Sequence, residues 1–180
     1  MERVQTNPKA KVDGGFHDKS LTVAVTCHLP RLILQFFLFT GKPLFGTLIS
    51  LVYEGSPVLG IIDQPITKER WVGVVGQPTT LNGQTLRTRP CTEVKLAYLY
   101  ATTPHMFSGD NEVAFNRLRD QVRIPMYGCD CYAYGLLAAG HCDLVVEADL
   151  KPYDYMALVP VVQVLTVCGC APLLQHQSGD

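Results

Sequence analysis

Carboxylates concentrate between Gly128 and Asp154, and their spacing suits the joint binding of a metal ion and an anionic ligand. Gly128-Cys129-Asp130 precedes an apolar run with helical spacing. That places it at a helix N-terminus, where free N–H groups and the positive end of the dipole favour an anion. Asp130 then falls in the first turn of that helix. Asp143-Leu144-Val145-Val146-Glu147 reads as a strand ending on a carboxylate, and Lys151-Pro152-Tyr153-Asp154 opens a further helix. Glu147 and Asp154 are seven residues apart across a Pro-containing loop, so a strand end and a helix start can converge on one pocket. Carboxylates meeting a helix N-terminus are the arrangement expected where Mg2+ and a phosphate bind together. Plainer readings stand beside this one: Asp130 and Asp154 are good helix-capping residues, and Glu147 is a good solvated strand end.

Other reactive side chains form no motif. Cys129-x-Cys131 and Cys168-x-Cys170 are spaced too tightly for structural zinc, which separates its ligands by roughly two to four residues, and no paired histidines accompany them. The five histidines are scattered, and Ser56 and Ser108 sit in turn-like contexts without a nucleophile elbow. Seven cysteines, an odd number without regular spacing, argue for buried thiols in a reducing, intracellular compartment. A formal net charge of −1, with 17% of residues charged, gives no basic footprint for nucleic acid. The apolar run at residues 32–39 falls short of the roughly 18 residues a membrane span needs, so no membrane partner is expected.

The elements that must position these residues follow from periodicity. Residues 1–28 show neither helical nor strand spacing and read as a loose arm, followed by an apolar, aromatic run through Phe39. Residues 44–53, 58–63 and 70–75 read as strands, the last with Trp71 and Val75 on one face, and Glu54-Gly55-Ser56-Pro57 as a turn. Asn82-Gly83 predicts a type I′ hairpin between residues 79–81 and 84–86, and a further strand near 96–102 extends an antiparallel meander. Beyond it, residues 111–122 and 129–139 read as helices, the second closed by Gly140. Residues 143–148 read as a strand, and residues 154–165 as a helix kinked at Pro160. Strands followed by alternating helices and strands predict a mixed α/β layered domain.

Several of these segments share the motifs of one known family. Gly41-Lys42-Pro43-Leu44-Phe45-Gly46-Thr47-Leu48-Ile49, Val58-Leu59-Gly60-Ile61-Ile62-Asp63-Gln64-Pro65 and Glu69-Arg70-Trp71-Val72-Gly73 resemble the inositol monophosphatase-like family, most closely its plant histidinol-phosphatase branch. Asn82-Gly83, the run from Tyr127 to Tyr134, Val145-Val146-Glu147 and Lys151-Pro152-Tyr153-Asp154 continue the match in order, over residues 40–162. The resemblance implies a layered α-β-α-β-α sandwich, incomplete at both ends, with residues 1–39 an atypical arm and 163–180 an atypical tail. It implies a Mg2+-dependent phosphomonoesterase acting on a small phosphorylated substrate, histidinol phosphate in this branch, as a homodimer in the chloroplast. No transit-like segment is visible at Met1. Asp154 matches the family's late metal-binding aspartate, and Gly128, Cys129, Asp130 and Glu147 match its substrate-lining positions.

Two departures bear on activity. The family's Asp-Pro-Ile-Asp-Gly-Thr motif is replaced by Pro30-Arg31-Leu32-Ile33-Leu34-Gln35, and residues 1–29 contain no Glu-Glu pair. Asp154 is then the one metal ligand of the family that this chain matches, and impaired catalysis is expected. An inositol-phosphate phosphatase and a non-catalytic partner of intact subunits are the alternatives.

Overall fold

The computed structural model describes residues 21–27 and 41–163. Six strands form an antiparallel meander in sequence order: β1 (Leu21–Cys27), β2 (Thr47–Tyr53), β3 (Ser56–Gln64), β4 (Glu69–Val74), β5 (Gln77–Leu81) and β6 (Gln84–Thr85). Alternation of side chains decides its two faces. Leu48, Ser50 and Val52 of β2 are buried, as are Gly60, Ile62 and Gln64 of β3, Trp71 and Gly73 of β4, and Thr79 of β5.

This buried face has a large row and a small row. Leu48, Ile62, Trp71 and Leu81 stand opposite one another and carry the apolar core. Beside them Ser50 pairs with Gly60, and Gly60 with Gly73, leaving a shallow seat in the sheet. The segment from Met156 to Val161 rests in that seat. A Cβ at Gly60 would lie 1.9 Å from the Ala157 carbonyl oxygen, and one at Gly73 2.3 Å from that of Pro160. Polar side chains flanking the seat bond to the same segment: Ser50 Oγ donates to the Met156 carbonyl at 3.1 Å, and Thr79 Oγ1 to the Val161 carbonyl at 2.8 Å.

The hairpin at Asn82-Gly83 forms as its residues predict, with φ of 50° and 82°. Other expectations are corrected. Leu21–Cys27 is not part of a loose arm: it pairs antiparallel with β2 over seven positions, Leu21 to Tyr53 through Cys27 to Thr47. Its mixed run Leu-Thr-Val-Ala-Val-Thr-Cys has strand propensity in its β-branched residues, which the surrounding polar sequence obscured. Val75 does not share a face with Trp71: the β4–β5 register shifts between Val72 and Val74, β4 ends there, and Val75 is exposed. The apolar run at 32–39 and the tail beyond Gln163 lie outside the described residues.

The strand near 96–102 does not extend the meander. A 3-10 turn at Val94–Leu96 redirects the chain, and β7 (Tyr98–Ala101) starts a second, parallel sheet with order β8-β7-β9. β8 (Ile124–Tyr127) is a strand the periodicity missed because Ile124-Pro125 reads as a helix stop. Its proline is tolerated because β8 is an edge. β9 is short, Leu144–Val145.

Helix α1 (Gly109–Arg119) connects β7 to β8, and α2 (Tyr132–Ala138) connects β8 to β9. Phe115 of α1 stacks on Phe107 at 4.0 Å, within a second core that includes Leu99 and Ala101. The last predicted helix is two: α3 (Pro152–Tyr155) and α4 (Leu158–Gln163). The break falls at Met156-Ala157, not at Pro160. Pro160 is the third residue of α4, where the missing N–H is one of those a helix start leaves unbonded anyway.

The segment after β6 is tied to the second sheet by Asp143, whose side chain is 5% exposed. Its carboxylate accepts from Arg89 Nε at 2.8 Å, from a second guanidinium nitrogen, and from the Tyr98 N–H at 2.7 Å. The guanidinium also lies 4.3 Å from the centre of the Tyr98 ring.

Candidate functional site

Parallel strands gather loops at their C-terminal ends, and the crevice they leave is where ligands of such sheets bind. Here Thr102 follows β7, Gly128 follows β8 and Glu147 follows β9. The resulting cleft, about 230 Å³ in volume, is bordered by Thr102, Asp130, Tyr134, Glu147, Asp149 and Asp154, with Leu48, Met106 and Leu158 among its apolar walls.

Three of the predicted residues meet in it. Glu147 is half-buried, and its Oε1 accepts from the Thr102 N–H at 3.0 Å and from Thr102 Oγ1 at 2.6 Å. Burial drives its carboxyl above the usual range. The charges of Asp130 and Asp154 push the same way, while the Thr102 hydrogen bonds oppose them. Glu147 is therefore no solvated strand end. Asp154 is the third residue of α3, and its Oδ2 accepts from the Lys151 N–H at 2.8 Å, the capping role its position suggested. Its Oδ1 is buried.

Asp130 does not sit in the first turn of a helix. It precedes α2, with φ of 49°, a left-handed conformation that Asp tolerates better than most residues. Its Oδ1 accepts from the N–H of Cys131 at 2.9 Å. The helix N-terminus expected at Gly128 is thus displaced to Tyr132, and α2 is only seven residues long.

Gly128 and Cys129 do not border the cleft. Gly128 is exposed, with φ of 77°, and its N–H donates to the carbonyls of Ala101 and Thr102 at 3.2 and 3.0 Å. It shapes the turn that delivers Asp130. Cys129 is 3% exposed, and burial pushes its thiol up to about 12, helped by Asp130 and Glu147. Cys142 is likewise pushed up to about 12 by burial, and Cys131 is raised by burial too. These three thiols are buried, as the sequence suggested, and burial disfavours the reactive thiolate in each.

Sequence reasoning missed Thr102 and Tyr134. The Tyr134 hydroxyl is raised by burial and by the charges of Glu147, Asp130 and Asp154, so the ring stands among the carboxylates. Tyr134 follows Asp130 by four positions, and Thr102 ends a strand. Either spacing points to the cleft once the sheet is known to be parallel.

The donor set was weighed against magnesium. Mg2+ demands near-octahedral oxygen coordination at about 2.0–2.1 Å. Among the described residues no group of three or more His, Cys, Asp and Glu side chains is gathered closely enough to hold a metal ion. Asp130, Glu147 and Asp154 border one cleft but do not form a ligand cluster, so these residues by themselves do not fit the ion.

A parallel three-stranded sheet with an acid-lined cleft at its C-terminal edge, beside a larger antiparallel sheet, defines a mixed α/β class of protein. Residues 38–167 match the model of the inositol monophosphatase family, and the chain belongs to that family. It is 60% identical over 124 residues to the bifunctional phosphatase IMPL2, chloroplastic, of Arabidopsis thaliana, covering 69% of this chain and 36% of that protein. It is 25% identical over 124 residues to a histidinol-phosphatase of Chlorobaculum parvum, covering 68% of this chain and 48% of that one. A solved inositol monophosphatase from Zymomonas mobilis superposes with a TM-score of 0.70 at 45% identity, covering 81% of this chain and 55% of that one. The chain spans between a third and a half of the length of the curated relatives.

Proposed function

We propose that this chain carries the substrate-recognising part of a phosphomonoesterase for histidinol phosphate, and that the 180-residue chain alone binds such a ligand far better than it hydrolyses it. The observation that carries the reading is the convergence of Asp130, Glu147 and Asp154 on one cleft. A cluster of carboxylates with a partly buried Glu147 suits the amino and imidazole groups of a cationic amino alcohol. Two relatives named histidinol-phosphatase or bifunctional phosphatase support the substrate class. Residues 40–162 are the working unit, extended by the strand Leu21–Cys27. In this reading Asp154 is assigned to a Mg2+ ion as one ligand of a set that the described residues do not complete, and Gly128 and Cys129 serve by shaping the turn rather than by touching ligand. A homodimer and a plastid location accompany this reading.

The metal side of the reaction is where the described residues fall short. Activating a water for attack on phosphorus needs a set of oxygen donors, and the described residues do not assemble one. That favours a binding role for this chain over turnover. The test is phosphate release from histidinol phosphate with Mg2+, run beside calorimetric titration with L-histidinol. The expected outcome is saturable binding and no release above background. Rapid Mg2+-dependent release overturns the impairment; loss-free binding in Glu147→Gln overturns the ligand reading.

A further inference from the structure

We infer that Thr102 is the positioning residue of the cleft, holding Glu147 and the 128–130 turn in one fixed relation so that Glu147 presents Oε2 to a cationic group. This rests on the ligand reading proposed above and names the residue that makes it work.

The geometry starts from where the parallel ladder stops. β7 and β9 pair at Leu99–Leu144 and Tyr100–Val145, and the last backbone bond runs from the Val146 N–H to the Tyr100 carbonyl at 2.9 Å. One step further the Thr102 N–H has no strand to bond. Glu147 Oε1 takes that N–H, at 3.0 Å, together with the Thr102 hydroxyl at 2.6 Å. The Thr102 carbonyl meanwhile accepts from the Gly128 N–H at 3.0 Å, fixing the turn that ends in Asp130. Thr102 thus spends its N–H, hydroxyl and carbonyl on the two segments that bring carboxylates to the cleft.

Two donors on one oxygen restrict the Glu147 side chain to a narrow range of torsions. Among the described residues no hydrogen bond engages Oε2, which leaves that oxygen for a ligand. A serine at this position would preserve the hydroxyl. A valine would keep the shape and the N–H and lose the second donor, freeing the carboxylate to turn. The consequence is specific: recognition of positive charge should suffer, while contacts with uncharged parts of a ligand should not.

The experiment compares L-histidinol with its des-amino analogue, 3-(imidazol-4-yl)propan-1-ol, by calorimetry at pH 7.5, where the amine carries the charge. Thr102→Val should weaken L-histidinol about tenfold, the scale of one hydrogen bond to a charged group, and leave the analogue unchanged. Thr102→Ser should stay within about twofold of the parent, since the hydroxyl is retained. In the Glu147→Gln background, Thr102→Val should add nothing. The inference is overturned if Thr102→Val weakens both probes alike, or weakens L-histidinol equally in that background. A urea-unfolding cycle without ligand on the parent, Thr102→Val, Glu147→Ala and their double variant reads the Thr102–Glu147 coupling directly, because alanine removes the acceptor that glutamine would keep. Zero coupling overturns the inference whatever the binding data show. Clear coupling in a chain that binds neither probe overturns the ligand reading and leaves the pairing of the two residues standing.

Discussion

Replacing Gly60 by alanine adds one methyl group and should dismantle the seat on which the segment after Asp154 rests. The new Cβ would stand 1.9 Å from the Ala157 carbonyl oxygen, and real Cβ atoms essentially never approach within 3.0 Å, so the segment must retreat by about 1.1 Å. The obstacle is backbone, which cannot rotate away as a side-chain tip can. A gap of about 0.5–1 Å forfeits a quarter to a half of the dispersion attraction across a packed surface. Leu158, Val161 and Val162 of α4 are buried in that surface. At about 1.5–3 kcal/mol for each of these three buried aliphatic side chains, a quarter to a half of the total comes to about 1–4 kcal/mol. That is a large fraction of the roughly 5–15 kcal/mol that hold a domain together. With a urea m-value of about 2 kcal/mol/M, the unfolding midpoint should fall by about 0.5–2 M. Gly55→Ala is the control: its φ is 76° with nothing within 4 Å of the added carbon, so only about 1 kcal/mol of backbone strain is expected. Moving the Met156–Val162 segment should also pull Asp154 away from Glu147 and weaken L-histidinol binding. A Gly60→Ala protein with the parent's midpoint, or one indistinguishable from Gly55→Ala, would refute the argument that the glycine row exists to seat α4.

Four further outcomes are expected. Asp143 is pushed up by burial, but the Arg89 and Tyr98 hydrogen bonds and the guanidinium charge outweigh this and hold it below the usual carboxylate range. Its stabilisation is therefore present above its unfolded value and lost as pH falls through the depressed one. Asp143→Asn should flatten the acid limb of a stability–pH curve, and an unchanged limb counts against the clamp. Glu147 has the opposite sign, because its folded carboxyl is raised by burial and by Asp130 and Asp154. Glu147→Gln should hold or raise the melting temperature at neutral pH while abolishing selectivity for the charged probe, and a marked fall in stability there contradicts the reading. Thr79→Val removes a buried donor from the Val161 carbonyl and should cost about 1–3 kcal/mol in urea unfolding. In alkylation at pH 8 mapped by mass spectrometry, the half-exposed Cys91 should react well before Cys129, Cys131 and Cys142, and equal rates would show that these thiols are not buried as described.

Much of the candidate site was legible because its chemistry is local. Glu147 and Asp154 are close enough in sequence that a strand end and a helix start could be read to converge, and they do. Asp130 was found for a reason that does not hold: it lies in a left-handed turn before α2, since a helix pattern does not show where the first turn begins. Thr102 escaped notice because a threonine after a strand is ordinary until the opposite strand end places a carboxylate on it. Gly60 and Gly73 read only as small residues inside strands; nothing local says that they stand opposite each other beneath a helix.

Periodicity, turn chemistry and charge by themselves determined strands β2 to β6 of the meander, the Asn82-Gly83 hairpin and the acidic residues worth watching, while the family was read from the resemblance of its motifs. These are properties of adjacent residues, set by φ preferences and by the alternation of side chains. Tertiary structure alone decided that β7 leaves the meander for a parallel sheet, that Leu21–Cys27 joins the first sheet, and which oxygens face the cleft. The reason is physical: a strand's own sequence fixes its pleat and its faces, while its partner is chosen by hydrogen bonds and packing with residues far away in the chain.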